Sequence, residues 1–151
     1  MTDYTLEQRD RSDKVTSVAT LADLRLRDIE SRLLIPGPKI PLTLDFKVLP
    51  AMARLGNNAV VYHVTYEFEA TTADLRQAFV AELTMTVLFQ LESSDLTEEE
   101  LQDFGTVGVL DIVHPYVRET VHTLTGRMGL PPLVLDVKQP PTLVGASNAK
   151  K

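Results

Sequence analysis

Three stretches of the chain alternate apolar and polar residues with period two. Leu42, Leu44, Phe46 and Val48 alternate with Thr43, Asp45 and Lys47. Val60, Tyr62, Val64, Tyr66 and Phe68 alternate with Val61, His63, Thr65, Glu67 and Glu69. Phe79, Ala81, Leu83, Met85, Val87, Phe89 and Leu91 alternate with Val80, Glu82, Thr84, Thr86, Leu88 and Gln90. Side chains of a strand point to its two faces in turn, so each stretch predicts a strand with one apolar and one mostly polar face. Gly56-Asn57-Asn58 turns the first into the second, and residues 70–77 link the second to the third. Such short links predict antiparallel neighbours. Upstream, Leu24 and Leu26 share one parity, and Ile29, Ser31 and Leu33 the other. A bulge near Arg27-Asp28 puts both sets on one face. This reading of residues 24–34 as a strand competes with a helix continued from Val15, Val18, Leu21 and Ala22, whose spacing is helical in a short stretch beginning near Ser12-Asp13.

Downstream the period changes. Thr97 and Glu100 form a reciprocal capping box, Leu96 and Leu101 stand where a hydrophobic staple puts them, and Glu98, Glu99 and Glu100 suit the positive end of a helix dipole. Gly105 and Gly108 predict that this helix is short. A second helix is predicted to start near His114-Pro115, since proline fits a first turn. Val113, Val117, Val121, Leu124 and Met128 recur at spacings of three and four, one apolar stripe of a long helix. Gly129 is placed for a left-handed stop, and Pro131-Pro132 prevent continuation. Leu133, Leu135 and Val137 then read as extended chain. Three or four strands followed by a short and a long helix predict an α+β fold, with the helices segregated to one side of the sheet.

Composition narrows the function. At 151 residues the chain reads as one domain, able to bury roughly 70% of its unfolded surface. The organisation expected is a frayed or disordered segment 1–14, a domain over 15–137 and a disordered tail over 138–151. No cysteine is present, which excludes a disulfide scaffold and cysteine-based zinc sites. The first residues are polar and lack the apolar core of a signal peptide, and no apolar run is long enough to span a bilayer, so neither export nor membrane insertion is expected. A net charge of −6 argues against nucleic acid as a partner.

No catalytic motif is present: no GxSxG, P-loop, GxGxxG or HExxH. His114 and His122 are too far apart for a metal pair on adjacent turns, and His63 lies on the polar side of a strand, so all three histidines read as ordinary surface or capping residues. Glu67 and Glu69 share a strand face that solvent explains. No catalytic residue, cofactor or metal is therefore expected. What stands out is apolar material beyond the needs of one small sheet: Val80 and Leu88 on a polar strand face, Val107, Val109, Leu110, Ile112 and Val113 between the helices, and Leu130, Leu133, Val134 and Leu135 after them. Exposed apolar patches mark interfaces or binding grooves.

At His114-Pro115-Tyr116-Val117-Arg118-Glu119, followed by Leu124-Thr125-Gly126-Arg127 and Leu130-Pro131-Pro132-Leu133, the chain resembles the SecB family of chaperones, in which a Pro-Tyr-x-Arg-Glu motif opens the long helix. Pro115, Tyr116, Arg118 and Glu119 match that motif, while His114 replaces an aromatic and Val117 a small residue. The last two motifs look most like the SecB-like chaperones that accompany toxin–antitoxin pairs. The resemblance covers about Leu24 to Val137. It implies a four-stranded antiparallel sheet with a short and a long helix, assembled as a homotetramer (a dimer of dimers) through the sheet edge and the long helix. Tyr116, Val117, Val121 and Leu124 would lie at that interface. It implies an ATP-independent cytoplasmic holdase whose clients are unfolded proteins, either an antitoxin segment or secretory precursors. Phe46, Val48, Phe104, Leu110, Leu130, Leu133 and Leu135 would line the client groove. Asp28 and Glu82, where acidic sheet residues are common, would meet the SecA motor, although Arg32 stands near where a further acid is expected. Two other readings compete: an interaction module for one folded partner, and a small-molecule enzyme or ligand-binding domain.

Overall fold

The computed structural model describes residues 4–130. A helix α1 (Leu6–Thr16) precedes four strands, β1 (Ala19–Leu33), β2 (Thr43–Leu55), β3 (Ala59–Thr71) and β4 (Gln77–Leu91), and then α2 (Glu98–Thr106) and α3 (Gly108–Arg127). The strands form one antiparallel sheet in the order β1-β4-β3-β2. β1 and β2 thus lie at opposite edges, and residues 34–42 cross between them. This crossover is tied down where the Leu34 and Ile35 N–H groups both donate to the Ala78 carbonyl, at 2.8 and 3.3 Å. Pro50 sits within β2, where an edge strand tolerates its missing donor.

The period-two patterns are realised as read. Tyr62, Val64, Tyr66, Leu83 and Val87 are fully buried beneath the helices, while Thr65, Glu67, Glu82 and Thr84 face away. Residues 24–33 are strand, not helix. The register of β1 against β4 shifts between Leu26 and Asp28, where the change of parity demanded it, and again between Leu21 and Asp23. Leu21, Leu24, Leu26 and Ile29 therefore all stand opposite core residues of β4: Phe89, Val87, Met85 and Leu83. The helical spacing of Val15 to Ala22 does not survive past Thr16, since Leu21 and Ala22 belong to β1.

The frayed N-terminus expected from polar composition is instead a helix over Leu6–Thr16. Thr5 and Gln8 form a capping box at its start. Its inner side holds only Ser12 and Val15. What fixes it is remote: the Arg11 guanidinium bonds to Asp103, and Lys14 donates to Glu100 at 2.7 Å. Hydrophobic periodicity carries no trace of such partners.

Thr97 caps α2 as its sequence predicts. Its hydroxyl accepts the Glu100 N–H at 3.1 Å, and the Glu100 carboxylate accepts the Thr97 N–H at 2.9 Å. Thr97→Ala is expected to cost about 1 kcal/mol, seen as a fall of roughly 2–4 °C in melting temperature.

The second helix starts at Gly108, not at His114, so Pro115 lies inside it. α2 is short, as expected, but Gly105 lies within it and Gly108 begins α3. Both glycines let elements approach: a Cβ at Gly105 would lie 2.8 Å from Cε2 of Tyr62, and one at Gly108 would lie 2.7 Å from the Phe104 ring. The chain changes direction at Val107 (φ −110°, ψ −68°). The earlier start also uses up residues that looked surplus, because Val109, Leu110 and Val113 are buried along the inner side of α3 with Val117 and Val121. Gly129 ends α3 in the left-handed region (φ +77°), and the Leu130 N–H donates back to Thr125 at 3.0 Å. The extended stretch read at Leu133–Val137 and the tail lie outside the described residues.

Candidate functional site

α2 and α3 lie over β2, β3 and β4, and α1 reaches only the start of β1, so much of the apolar side of β1 is left open. Leu21, Leu26 and Ile29 are 41–46% exposed although they stand on the core side of the sheet. Facing them across a seam are Ile112, Pro115 and Tyr116 of α3, with Tyr116 54% exposed. The seam holds two successive hollows. One, of about 580 Å³, is walled by Leu24, Leu26, Met85, Pro115 and Tyr116. The other, of about 410 Å³, is walled by Leu21, Phe89, Phe104, Val107 and Ile112, and by Ser12, Asp13 and Thr16 of α1. Asp111 at this end has its carboxyl pushed above the usual range by burial. Along β1, Leu21 to Ile29 spans roughly 25 Å.

The opposite edge has a second apolar region. β2 begins from Ile40, 68% exposed, and from half-buried Leu42 and Leu44. At the same end of the sheet Leu34 is exposed, and Leu75, 85% exposed, forms the tip of the β3–β4 turn. Leu75 has φ +66°, a left-handed conformation uncommon for a branched residue. The turn that holds it is closed from both sides: Thr72 N–H donates to the Arg76 carbonyl and Leu75 N–H to the Thr72 carbonyl, each at 2.9 Å. The Arg76 N–H donates to the Thr72 hydroxyl at 3.1 Å.

The residues singled out for client contact are placed differently from expectation. Phe46, Val48, Phe104, Leu110 and Leu130 are all buried in the core of the subunit. Phe46 joins a stack with Tyr66, Phe68 and the His114 ring at centroid distances of 5.6–6.1 Å. Phe104 sits edge-on to Tyr62 and Phe89. Leu133 and Leu135 lie outside the described residues. Of the residues assigned to self-association, Tyr116 is exposed and Leu124 half-buried, but Val117 and Val121 are fully buried against their own sheet. The long helix needs that stripe for its own packing, so only its flank is free. Asp28 and Glu82 are exposed on the far, polar side of the sheet. There Glu82 stands directly between Glu30 of β1 and Glu67 of β3.

Residue-level reading flagged Ile112 as surplus apolar material but missed Leu21, Leu24, Leu26 and Ile29. The signal was present, since the change of parity in β1 gives that strand a full apolar side while the helices supply one stripe to cover it.

The histidines take three different positions. His63 lies on the polar side, its Nδ1 3.0 Å from the Thr86 hydroxyl, and burial followed by nearby Arg27 lowers its pKa. His122 is exposed. His114 is not a surface or capping residue: it is buried, with Nδ1 3.0 Å from the Tyr66 hydroxyl. The early start of α3 turns it inward. Among the described residues no group of His, Cys, Asp or Glu is arranged to hold a metal ion, and no helix is long and apolar enough to cross a membrane.

The fold is thus an antiparallel four-stranded sheet with a short and a long helix on one side and exposed apolar residues along both edges. The chain belongs to the SecB family: residues 23–138 match the family described as preprotein translocase subunit SecB. The SecB-like chaperone Rv1957 of Mycobacterium tuberculosis is 28% identical over 148 residues, covering 85% of this chain and 82% of that protein. The protein-export protein SecB of Neisseria meningitidis serogroup C (strain FAM18) is 28% identical over 130 residues, covering 82% and 86%. The protein-export protein SecB of Ehrlichia canis is 31% identical over 102 residues, 63% of this chain, but the match spans only about half (52%) of its length. A solved structure of the M. tuberculosis Rv1957 SecB-like chaperone, in complex with a ChAD peptide from the Rv1956 HigA1 antitoxin, superposes with a TM-score of 0.79 at 27% identity, covering 87% of this chain and 98% of that one. The family is one of chaperones rather than enzymes, and this chain is a SecB-like chaperone.

Proposed function

We propose that the two edges of the sheet do two jobs, and that the chain is an ATP-independent cytoplasmic holdase. β1 and the exposed flank of α3 pair subunits. β2, with the crossover and the β3–β4 turn, holds extended segments of unfolded clients. The observation that carries this reading is the pairing of free strand edges with exposed apolar side chains at both ends of the strand order: Leu21, Leu26 and Ile29 on β1, and Ile40 and Leu75 beside β2. An edge strand offers a row of main-chain donors and acceptors that any extended chain satisfies. Apolar burial adds about 25 cal/mol per Å² whatever the client sequence. Together they bind without reading sequence, as a holdase requires.

The self-association through β1, Tyr116 and Leu124 builds a dimer, and two dimers a homotetramer. Its client is an antitoxin segment or a secretory precursor. The M. tuberculosis relative solved with an antitoxin peptide favours the first. Phe46 and Val48 belong to the client edge as buried supports, because a strand added to β2 would lie against their backbone. Asp28 and Glu82 on the polar side remain free to meet SecA in the export version of the role. Leu75, kept in a strained conformation, gives the client edge an apolar tip.

The test is suppression of aggregation of a chemically unfolded model protein, followed by light scattering without nucleotide. Suppression at about one tetramer per client is expected, and none at stoichiometric excess would defeat the reading. Binding confined to a folded partner would support a dedicated interaction module instead. Ile40→Asp is expected to weaken client binding by roughly tenfold or more, the effect of about 1.4 kcal/mol, while leaving the mass in solution unchanged.

A further inference from the structure

The outer side of β1 pairs with no other strand among the described residues. β1 also carries six charged residues: Asp23, Arg25, Arg27, Asp28, Glu30 and Arg32. Charges on an edge strand ordinarily keep other strands away. Here their order inverts about a centre. Counted outward from the Arg27–Asp28 bond, Arg27 is matched by Asp28, Arg25 by Glu30 and Asp23 by Arg32, each time with opposite sign. Leu26 and Ile29 are matched about the same centre. A regular strand could not use a centre that lies between two residues. Neighbours point to opposite faces, whereas residues paired across a two-fold axis must share one. The bulge removes that bar. The register shift between Leu26 and Asp28 sets Leu26 and Ile29 on one side, opposite Met85 and Leu83, and Arg25 and Asp28 on the other, opposite Thr86 and Thr84. Arg27 joins the polar side, where its guanidinium lies 3.4 Å from Nδ1 of His63. Every matched pair therefore shares a face. One row of the sheet also ends without a counter-charge: Glu30, Glu82 and Glu67 stand side by side on β1, β4 and β3, with Lys47 of β2 beyond Glu67 and no cation beyond Glu30.

We propose that β1 pairs with β1 of a second copy of this chain, antiparallel and centred on the Arg27–Asp28 bond, and that the order of its charges selects both this partner and this register. The proposal rests on the reading that β1 pairs subunits, and adds to it which residues meet. Arg25 faces Glu30 of the second copy, Asp23 faces Arg32 and Arg27 faces Asp28, and the two-fold axis makes each pair occur twice. Arg25 of the second copy thereby supplies the cation that the Glu30–Glu82–Glu67 row lacks at its β1 end. On the helix side Leu26 and Ile29, 42% and 41% exposed, cover Ile29 and Leu26 of the second copy. A slip of two residues one way sets Asp23 against Glu30, and the other way Arg25 against Arg32. Like charges directly opposite each other destabilise a strand pair. The charges that fend off other edges thus spare one partner in one register.

The experiment is a charge-reversal exchange in the full chain, with mass followed by light scattering over a dilution series and folding by circular dichroism. R25E and E30R each set like charges across the axis twice. Either alone is expected to weaken pairing on the order of tenfold, the scale of two surface ion pairs turned to repulsion. A mixture of the R25E and E30R chains is expected to pair as the unmodified chain does, because each mismatch answers the other, and so is the double variant R25E/E30R. A mixture of R25E with D23R is expected to stay apart, since position 23 faces position 32. An unmodified chain that runs as a single copy at every concentration would overturn this proposal together with the reading it rests on. An assembly that R25E leaves intact, a mixture with E30R that does not recover, or recovery with D23R as good as with E30R would overturn the register alone. If R25E or E30R loses its fold, D23R and R32D are exchanged in the same way; if those also unfold, the charges serve the subunit's own fold and the proposal falls.

Discussion

Gly105→Ala is expected to lower the melting temperature by several degrees, although alanine is the better helix former. In an open helix the change would stabilise by about 1 kcal/mol. Here the new Cβ would meet Tyr62 at 2.8 Å (Cε2) and 3.1 Å (Cδ2). The ring has nowhere to go. It is buried, edge-on to Phe89 and Phe104 at 5.9 and 5.8 Å, and its hydroxyl donates to the Leu101 carbonyl at 2.7 Å. Overpacking of this kind costs about 1–3 kcal/mol, and straining the hydroxyl bond adds about 1 kcal/mol. The net loss of about 1–3 kcal/mol reads as roughly 2–4 °C per kcal/mol in a thermal melt. In a Tyr62→Leu background the alanine should cost nothing further, the coupling expected of residues in direct contact. An unchanged or raised melting temperature in the parent would show that the ring gives way.

The same glycine shows what a sequence yields and what it withholds. Features decided within a few residues were legible: the Thr97–Glu100 capping box, the alternation of β2, β3 and β4, the bulge implied by the change of parity before Ile29, and the stop at Gly129. The family itself was legible in Pro115, Tyr116, Arg118 and Glu119. Features decided by distant partners were not. Gly105 reads as a helix breaker until Tyr62 is seen against it. α1 reads as a polar tail until Arg11 is matched with Asp103, ninety-two residues on. Phe46, Phe104 and Leu110 read as lining a client groove, because burial depends on which element covers which strand. The helices cover β2, β3 and β4, so those residues are core, and the open surface falls to the leucines of β1.

The second large effect is expected at that surface. With Leu26 and Ile29 both replaced by aspartate, the protein should keep its secondary structure and lose the proposed assembly, running at the mass of a single chain in light scattering. In the lone subunit these side chains are already 41–42% exposed, so folding loses little apolar burial. In the proposed two-fold pair the cost is larger, because each copy would bring the same strip against its partner. Every carboxylate caught there costs several kcal/mol for leaving water, and the arginines of β1 have their pairing elsewhere: Arg25 and Arg32 stand opposite Thr86 and Val80, and Arg27 lies 3.4 Å from His63. Association weaker by more than a hundredfold follows. Persistence of the full-size assembly would place subunit pairing away from β1. Client binding is expected to respond differently. The β2 edge is untouched, so each single chain still takes an extended segment at Ile40 and Leu75. What disappears is the simultaneous grip of several subunits on one polypeptide, which raises apparent affinity without any new contact. A variant that binds short peptides normally but no longer suppresses aggregation of a long client would separate the two edges by function.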